Sequence, residues 1–310
     1  MIFKELTSVF RPSRWYRNSF MILGAVLAIG ITEQTLQDNL SNIVIAFISL
    51  SLMASGNYGI NEILDVETDR RHPQKRFRSL ASGKVSIRLI LLLSIVFYML
   101  SIFIVVSLDK LPLTVSMFLL LISGFFYNVK PFRVKDIPYA DFLFEALNNP
   151  IRLAVGWYSV VDTNEIPLSF VLGFYAIGVF LMASKRFGEL RLFDGLDIKA
   201  SEYRASLLHY TEKNLLFSMI ASISTFSFLF GILSYKYNIN LIMMLPLFIV
   251  WVVWFFQIAY ECNSIVKDPE RIFEKKPFLI FSFSLVILFV VLLFSDTSIV
   301  SFLMRPVTGY

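Results

Sequence analysis

Polar side chains recur at every fourth position in one stretch of the chain, which we call the acidic stripe. The stripe comprises Asn57, Asn61, Asp65 and Asp69. On a helix this spacing places all of them on one face. Acids one turn apart repel each other unless a cation lies between them, and hard cations such as Mg²⁺ take amide and carboxylate oxygens and often complete their shell with substrate phosphates. The spacing predicts Asn61, Asp65 and Asp69 as Mg²⁺ ligands.

Basic residues follow the stripe at once, in the segment RRHPQKRFR from Arg70 to Arg78. Pro73 is expected to end the helix. Arg and Lys form charge-assisted hydrogen bonds with phosphate, so acids for a metal are followed by bases for a metal-bound pyrophosphate. The phosphate ligands predicted from this region are Asn57, Arg70, Lys75, Arg76 and Arg78.

A simpler interpretation of the same region needs no ligand. The acids would then form a solvated helix end, offset by Arg70 and Arg71. The basic loop would fix membrane topology and contact anionic lipid headgroups. We favour the metal and phosphate interpretation because it accounts for the ligand spacing and for the dense basic charge together.

Long apolar segments must position these residues. The chain has 310 residues, a mean hydropathy of +0.69, 16% charged residues and 32 Phe, a composition that excludes an ordinary soluble domain. Apolar windows of about 20 residues predict an all-α, polytopic membrane bundle of nine transmembrane helices. The predicted spans are 18–35, 41–60, 86–108, 111–127, 146–162, 168–186, 215–235, 241–261 and 278–296.

The 28 Lys and Arg residues fall mainly in alternate loops between these spans. Because basic residues accumulate in cytoplasmic loops, the pattern predicts a multi-pass cell-membrane protein with its N-terminus inside and its C-terminus outside. We expect a single membrane domain over 1–310, with cytoplasmic active-site loops at about 61–85 and 187–214. Function is expected at these loops and at the inner ends of the spans.

The composition also excludes some functions. One cysteine, Cys262, and two histidines exclude an internal disulfide and a Cys-based metal site, and they leave little material for a His-built zinc site. The net charge of +5 follows membrane topology, and we find no nucleic-acid motif. Metal chemistry in this chain is therefore expected to use oxygen ligands.

The acidic stripe resembles the first signature of the UbiA superfamily of intramembrane prenyltransferases, N-x-x-x-D-x-x-x-D. Within that superfamily the chain is most similar to the decaprenyl-phosphate phosphoribosyltransferase branch. The resemblance is carried by RPSRWYRN at 11–18, NEILDVETDRRHPQKRFRSLASG at 61–83, YNVKPFRVKDI at 127–137 and ASKRFGEL at 183–190. The chain departs from the branch at Glu62, where Asp is usual, which keeps the carboxylate but lengthens its reach. The resemblance implies that Glu62 is a Mg²⁺ ligand in addition to Asn61, Asp65 and Asp69.

The resemblance implies a Mg²⁺-dependent transfer of a 5-phosphoribosyl group from phosphoribosyl pyrophosphate to a polyprenyl phosphate, with release of pyrophosphate. The catalytic residues that it implies are Asp65, Asp69, Lys185 and Glu189. Arg186 is expected to bind phosphate. Lys185 and Arg186 have a structural interpretation too, in which they end a span and extend to the interface.

A second D-x-x-x-D motif is typical of the aromatic prenyltransferases of the superfamily. This chain instead has Asp194 and Asp197, three residues apart. Whether these acids or Glu62 bind a second metal ion stays open. The pattern around Lys185 favours the phosphoribosyltransferase branch.

Other polar residues lie at the predicted inner mouths of the spans and are expected to contact phosphate. Arg152 falls within a predicted span, where a charge at the centre costs roughly 2.5–3.5 kcal/mol on insertion scales, so it is expected to face a cavity. The full set comprises Arg14, Arg17, Asn18, Tyr127, Asn128, Lys130 and Arg152.

Two alternatives to phosphoribosyl transfer stay open. The first is a UbiA-type prenyltransferase that moves a prenyl group from its diphosphate to an aromatic or other acceptor. The second is a transporter or a non-catalytic membrane scaffold. A transporter is expected to place its essential charges near the membrane midplane, whereas this chain concentrates them at the inner helix ends. The sequence leaves the acceptor chain length and the formation of a homo-oligomer open.

Overall fold

The computed structural model describes residues 2–71, 75–163, 165–192, 205–261, 264–267 and 269–295. Within these ranges the regular secondary structure is helical. The α-helices are α1 (Ile2–Phe10), α2 (Phe20–Thr32), α3 (Leu36–Arg71), α4 (Ile87–Val106), α5 (Leu111–Asn128), α6 (Ala140–Ala146), α7 (Asn148–Val160), α8 (Leu168–Arg191), α9 (Glu212–Lys236), α10 (Leu245–Tyr260) and α11 (Lys276–Leu293).

The predicted membrane-spanning bundle is confirmed. Among the described residues, seven helical segments are long and apolar enough to cross a membrane. The predicted spans 18–35 and 146–162 coincide with α2 and α7, which have 13 residues each. At 1.5 Å per residue these two helices measure about 20 Å, less than a hydrocarbon core of about 30 Å. Each directly follows another helical segment, Pro12–Ser19 before α2 and α6 before α7.

Proline and hydroxyl side chains define where several helices begin. Helices α5, α10 and α11 each carry Pro in the first turn, where the missing N–H has no helical partner to lose. Ser86 caps α4 by accepting from the Leu89 N–H at 3.2 Å, and Thr211 caps α9 by accepting from the Asn214 N–H at 3.2 Å. These local signals separate the apolar segments.

The chain divides into two compact units. The first contains Met1–Ile166 and Ser201–Ser206, and the second contains Pro167–Ala200 and Leu207–Tyr310. Helices α1 to α7 belong to the first unit, and helices α8 to α11 belong to the second.

Glycine brings α2 and α7 into backbone contact in the first unit. A Cβ atom at Gly24 would lie 2.1 Å from the Leu153 carbonyl oxygen, and one at Gly156 would lie 1.8 Å from the Met21 carbonyl oxygen. Small residues at helix crossings increase van der Waals contact in membranes, where apolar burial against lipid gives little driving force. The two short helices therefore stabilise each other through a crossing that excludes side chains.

Small and hydroxyl residues also join α3 to α4. Ser49 and Ser101 each donate to the other's carbonyl oxygen at 2.8 Å. A Cβ at Gly56 would meet the Tyr98 ring at 2.6 Å. Helix α3 has 36 residues and is about 54 Å long. The helix is longer than the hydrocarbon core of a membrane is thick. Its polar end, which carries the acidic stripe, therefore lies beyond the apolar part of the helix.

Aromatic side chains dominate the interior of the second unit. Trp251 donates its indole N–H to Ser282 Oγ at 2.8 Å. Its ring lies 5.3 Å from that of Phe255 and 5.8 Å from that of Phe278, between centroids. Trp251 is partly buried, and its satisfied indole N–H fixes the orientation of the ring. This cluster links α10 to α11.

Gly156→Ala is expected to destabilise the protein, because the added methyl group clashes with the Met21 carbonyl group. Overpacking of this kind costs about 1–3 kcal/mol. Gly231→Ala is the matched control, since nothing lies within 4 Å of a Cβ at that helical position and Ala is the better helix former. Thermal unfolding in detergent should give a lower midpoint for Gly156→Ala only. Equal midpoints for both variants would contradict the close crossing.

Candidate active site at the end of α3

The acids near the end of α3 are paired with cations. The exposed fractions of Glu62 and Asp69 are 2% and 3%, so these carboxylates are not a solvated helix end. Arg70 forms its ion pair with the exposed Glu67 and not with these carboxylates; its Nη1 lies 2.8 Å from Glu67 Oε1. Burial of unpaired carboxylates would be costly, and three other segments of the chain supply their partners.

Asp65 accepts from two cations of the turn between α5 and α6. Lys135 Nζ lies 2.7 Å from Asp65 Oδ1 and 2.9 Å from Oδ2, and Arg133 Nη2 lies 2.9 Å from Oδ1. Arg133 has a left-handed backbone conformation, with φ of 32°, and begins a short 3₁₀ turn, Val134–Asp136. Its Nε also donates to Asp136 at 2.6 Å. The turn therefore directs both basic side chains at α3.

Two amide oxygens complete the surroundings of the Lys135 ammonium group. Asn61 Oδ1 lies 2.9 Å from Nζ, and Asn128 Oδ1 lies 3.1 Å from it. The Asn128 amide nitrogen donates to the Gly124 carbonyl oxygen at 2.9 Å, which orients the amide oxygen towards the lysine. We call these groups, Asn61, Asp65 and Asn128, the oxygen cage. Burial lowers the pKa of Lys135, although the charge of Asp65 opposes this shift.

Asp69 and Glu62 have partners from other segments. Arg78, in the loop after α3, donates to Asp69 Oδ2 at 2.7 Å. Glu62 accepts from the Leu80 N–H at 3.3 Å and lies 3.7 Å from Arg11 Nη2. The carboxylates of α3 are thus neutralised by the N-terminal segment, the α3–α4 loop and the α5–α6 turn.

The α3–α4 loop is also attached to α1. Glu5 accepts from Ser79 Oγ at 2.8 Å and pairs with Lys84 at 3.6 Å. Leu80, in the same loop, donates its backbone N–H to Glu62 of α3. The loop is therefore held between α1 and α3. This position keeps Arg78 beside Asp69.

The oxygen donors fit a hard cation. Asn61, Asp65 and Asn128 already direct four oxygen atoms at one positive charge, and amide and carboxylate oxygens are the donors that Mg²⁺ prefers. In the described part of the chain no three His, Cys, Asp or Glu side chains form a metal cluster. A metal here would therefore use few carboxylates and complete its shell with amides, water or substrate phosphate.

An arginine-rich surface lies beside the acids. The guanidinium carbons of Arg11 and Arg14 are 5.3 and 5.6 Å from the centroid of the Tyr58 ring, within the range of cation–π attraction. Burial, together with the like charge of Arg14, lowers the pKa of Arg11 to about 10. Two adjacent cations, Arg11 and Arg14, form an environment that favours an anion. Arg11 also lies 3.7 Å from the Glu62 carboxylate.

Arg152 faces polar groups of the first unit. Its Nε donates to Asn18 Oδ1 at 3.1 Å, and the Asn18 amide donates to Ser51 Oγ at 3.1 Å. Its Nη1 lies 3.4 Å from the Asn148 carbonyl oxygen. These contacts tie α7 to α3 and to the segment before α2, Pro12–Ser19. That Arg152 faces a cavity stays a prediction.

Other predicted phosphate ligands of the first unit have varied surroundings. Tyr127 donates to Glu145 Oε2 at 3.0 Å, and Asn57 Oδ1 accepts from Tyr98 at 2.9 Å. Lys130 is exposed, and Arg76 is exposed over the Phe77 ring. Arg17 and Lys75 are partly buried. Phosphate binding by these residues stays a prediction.

The predicted residues of the second unit lie on the last turns of α8. Arg186 is fully buried, with 0% exposure, and its Nη1 lies 3.2 Å from Glu189 Oε2. Lys185, the preceding residue, is partly buried. Asp194 and Asp197 lie outside the described residues, as do His72 and Pro73. The buried pair gives Arg186 a partner on its own helix, and its phosphate role stays a prediction.

Sequence reasoning did not single out several residues of the site. These residues are Lys135 and Arg133, which contact Asp65, and Arg11, which lies beside Glu62. The signal was present in the quoted segments YNVKPFRVKDI and RPSRWYRN. From spacing alone, nothing distinguishes Lys130 from Lys135, because their directions depend on the turn that Arg133 begins.

The sequence was compared with family models and with known proteins, and both comparisons identify the same family. The sequence model of the UbiA prenyltransferase family matches residues 19–271. Decaprenyl-phosphate phosphoribosyltransferase from Mycolicibacterium smegmatis is 28% identical over 240 residues, which cover 74% of this chain and 70% of that protein. The protein of the same name from Mycobacterium tuberculosis is 28% identical over 235 residues, 74% of each chain.

The fold also matches a solved structure. A UbiA homolog from Archaeoglobus fulgidus, bound to DMAPP and Mg²⁺, superposes with a TM-score of 0.69 at 18% identity. The match covers 94% of this chain and 100% of that chain. At this identity the likeness concerns the fold.

Asn18→Ala is expected to lower stability, because it leaves Arg152 Nε without its acceptor and Ser51 without its donor. An unsatisfied buried polar group costs about 1–3 kcal/mol, and more when it is charged. The control is Asn214→Ala, at an exposed position of α9. The thermal midpoint in detergent should fall for Asn18→Ala and stay within error for the control. An unchanged midpoint for Asn18→Ala would show that this link contributes nothing.

Proposed function

The chain belongs to the UbiA prenyltransferase family, and we propose that it transfers a 5-phosphoribosyl group from phosphoribosyl pyrophosphate to a polyprenyl phosphate and releases pyrophosphate. The family establishes a membrane-embedded transferase. The donor and acceptor are inferred from relatives named decaprenyl-phosphate phosphoribosyltransferase and from the charge around α3.

The observation that carries the proposal is the number of cations at the acidic stripe. Four basic side chains from three segments pair with the carboxylates of Glu62, Asp65 and Asp69: they are Arg11, Arg78, Arg133 and Lys135. Transfer of phosphoribosyl to a lipid phosphate brings together a diphosphate, a 5-phosphate and an acceptor phosphate, each of which needs cationic partners. A prenyl transfer to a neutral aromatic acceptor needs partners for the diphosphate alone.

The proposed reaction breaks the bond between C1 of ribose and the pyrophosphate oxygen, and the leaving group keeps the electron pair. An oxygen of the lipid phosphate forms the new bond to C1. Because that oxygen is already anionic, no dedicated strong base is required, and positioning and charge stabilisation dominate. A divalent ion at Asn61, Asp65 and Asp69 would stabilise the charge that develops on the leaving pyrophosphate.

The remaining side chains have separate proposed tasks. Arg78 and Arg133 are near enough to the stripe to donate to phosphate oxygens while they stay within reach of Asp69 and Asp65. Arg11 and Arg14, whose guanidinium groups both lie over the Tyr58 ring, are proposed to hold a further phosphate group. In the second unit, Lys185, Arg186 and Glu189 are proposed to contact the substrate as the family branch implies.

We also propose that the N-terminus is cytoplasmic and the C-terminus is outside, as the distribution of Lys and Arg predicts. The polar end of α3 would then lie at the cytoplasmic face, where phosphoribosyl pyrophosphate is a soluble substrate. The lipid acceptor would approach from the membrane.

Prenyl transfer is the second candidate function. The solved homolog from Archaeoglobus fulgidus is described as bound to DMAPP and Mg²⁺, and an allylic diphosphate ionises at a stabilised carbon in the same way as phosphoribosyl pyrophosphate. Purified protein should be incubated with Mg²⁺, labelled phosphoribosyl pyrophosphate and polyprenyl phosphate, in parallel with labelled prenyl diphosphates. A phosphoribosylated lipid supports the proposal, whereas consumption of prenyl diphosphate alone favours the second candidate. Turnover of neither favours a non-catalytic scaffold.

Asp69→Asn is expected to lower turnover by at least about a hundredfold, because it removes charge that holds the metal and its pyrophosphate. Insertion into the membrane should be retained, since Asn has the same size and the Arg78 side chain, 32% exposed, reaches water. Glu67→Gln is the control, an exposed acid on the same helix. Phosphoribosyl transfer and the amount of protein in the membrane fraction are measured together. Normal turnover in Asp69→Asn would remove this carboxylate from the site.

Lys185→Gln and Arg186→Gln should each weaken donor use by roughly ten- to a hundredfold, since a charge-assisted contact contributes about 1.5–3 kcal/mol. Initial rates are measured against phosphoribosyl pyrophosphate concentration. Lys236→Gln, at the end of α9, is the control. If all three variants behave alike, the proposed phosphate contacts on α8 are wrong.

A further inference from the structure

Lys135 occupies the position that the proposed metal would take at Asp65. Its Nζ lies 2.7–3.1 Å from four oxygen atoms of the oxygen cage. An ammonium group has three N–H donors, so four oxygens exceed what it can bind by linear hydrogen bonds. The side chain is 8% exposed. The arrangement is therefore a coordination shell of oxygens around a resident cation.

A divalent ion and this ammonium group cannot share the cage. Mg²⁺ binds oxygen at about 2.0–2.1 Å, which is shorter than every contact that Lys135 makes there. The oxygens would have to move inward around the ion, and the ammonium group would be left beside a like charge at close range. Binding of a metal at Asp65 therefore requires that Lys135 move away.

The turn that carries Lys135 has contacts that do not involve the lysine. Arg133 is held separately by Asp136 at 2.6 Å and keeps its own contact with Asp65 at 2.9 Å. The lysine reaches the cage through a flexible four-carbon stem. When it leaves Asp65, its charge needs another anionic partner, and a diphosphate arriving with the metal supplies one.

We propose that Lys135 is an internal cation that fills the metal position at Asp65 in the empty enzyme and moves to the diphosphate when metal and donor bind together. The inference rests on the proposed function, because it takes Asp65 as a metal ligand. In the empty enzyme the metal competes with a covalently tethered cation, so it binds weakly. With a diphosphate present the same lysine becomes a phosphate ligand, and binding of the metal and binding of the anion favour each other.

The test is metal binding without any donor. Mn²⁺ is titrated into purified full-length protein in detergent, and free Mn²⁺ is followed by electron paramagnetic resonance. Lys135→Met keeps an apolar stem but removes the charge. It should bind Mn²⁺ about tenfold more tightly than wild type or better, a factor within the range of ordinary coupling between sites. Equal or weaker binding by Lys135→Met would overturn the proposal.

The matched control is Lys110→Met. Lys110 is also buried, pairs with Asp162 at 2.7 Å and donates to the Val160 carbonyl oxygen at 3.2 Å, but it lies outside the acidic stripe. This variant should bind Mn²⁺ as wild type does. The double variant Lys135→Met with Asp65→Asn should lose the gain in affinity. A gain that persists in the double variant would place the metal elsewhere and would also overturn the proposal.

If Lys135→Met does not fold, Lys135→Gln replaces it, because the amide keeps two N–H donors for the cage and still lacks the charge. A second measurement compares wild type with Lys135→Gln. Labelled pyrophosphate should be retained by the protein only when Mn²⁺ is present, and Lys135→Gln should retain Mn²⁺ without it. Phosphoribosyl transfer by wild type is recorded separately. Transfer without the affinity gain rejects the role of Lys135 alone, whereas an affinity gain without transfer rejects the proposed substrates.

Discussion

The neutralisation of the buried acids of α3 is the interaction on which the first unit depends. Glu62, Asp65 and Asp69 lie within two turns of one helix and repel each other, and each is paired with a cation from elsewhere in the chain. Pairing a buried carboxylate requires excellent geometry, since the cost of desolvation is high. The N-terminal segment, the α3–α4 loop and the α5–α6 turn are therefore positioned by the same charges that are proposed to do chemistry.

The helical scaffold provides this geometry through close backbone approach. The crossing at Gly24 and Gly156 fixes α2 against α7, and the Arg152–Asn18–Ser51 contacts then tie this pair to α3. Polar contacts inside a membrane bundle are modest individually. Together with the glycine crossing they position the arginines of the N-terminal segment beside Tyr58.

The sequence predicted the helical bundle and the acidic stripe because both depend on local periodicity. Apolar windows identify helices, and a spacing of four places Asn61, Asp65 and Asp69 on one face whatever surrounds them. The partners of these acids were not predictable in the same way. The choice of Lys135 over Lys130 depends on the left-handed backbone of Arg133 and on the turn that follows it. The crossing of α2 and α7 likewise joins residues far apart in sequence, and no single segment encodes it.

The contact between Lys135 and Asp65 also has a consequence for biosynthesis. The two residues are 70 positions apart in the chain, and Arg133 is 68 positions from the same acid. While the ribosome synthesises the intervening helices, Asp65 has neither cation available, and it must rely on water beyond the apolar part of α3. The site is thus assembled after α5 has been inserted and the turn that follows it has docked. A nascent chain that stops before Arg133 already contains Arg78 for Asp69, but its Asp65 lacks both of the cations that pair with it in the folded protein.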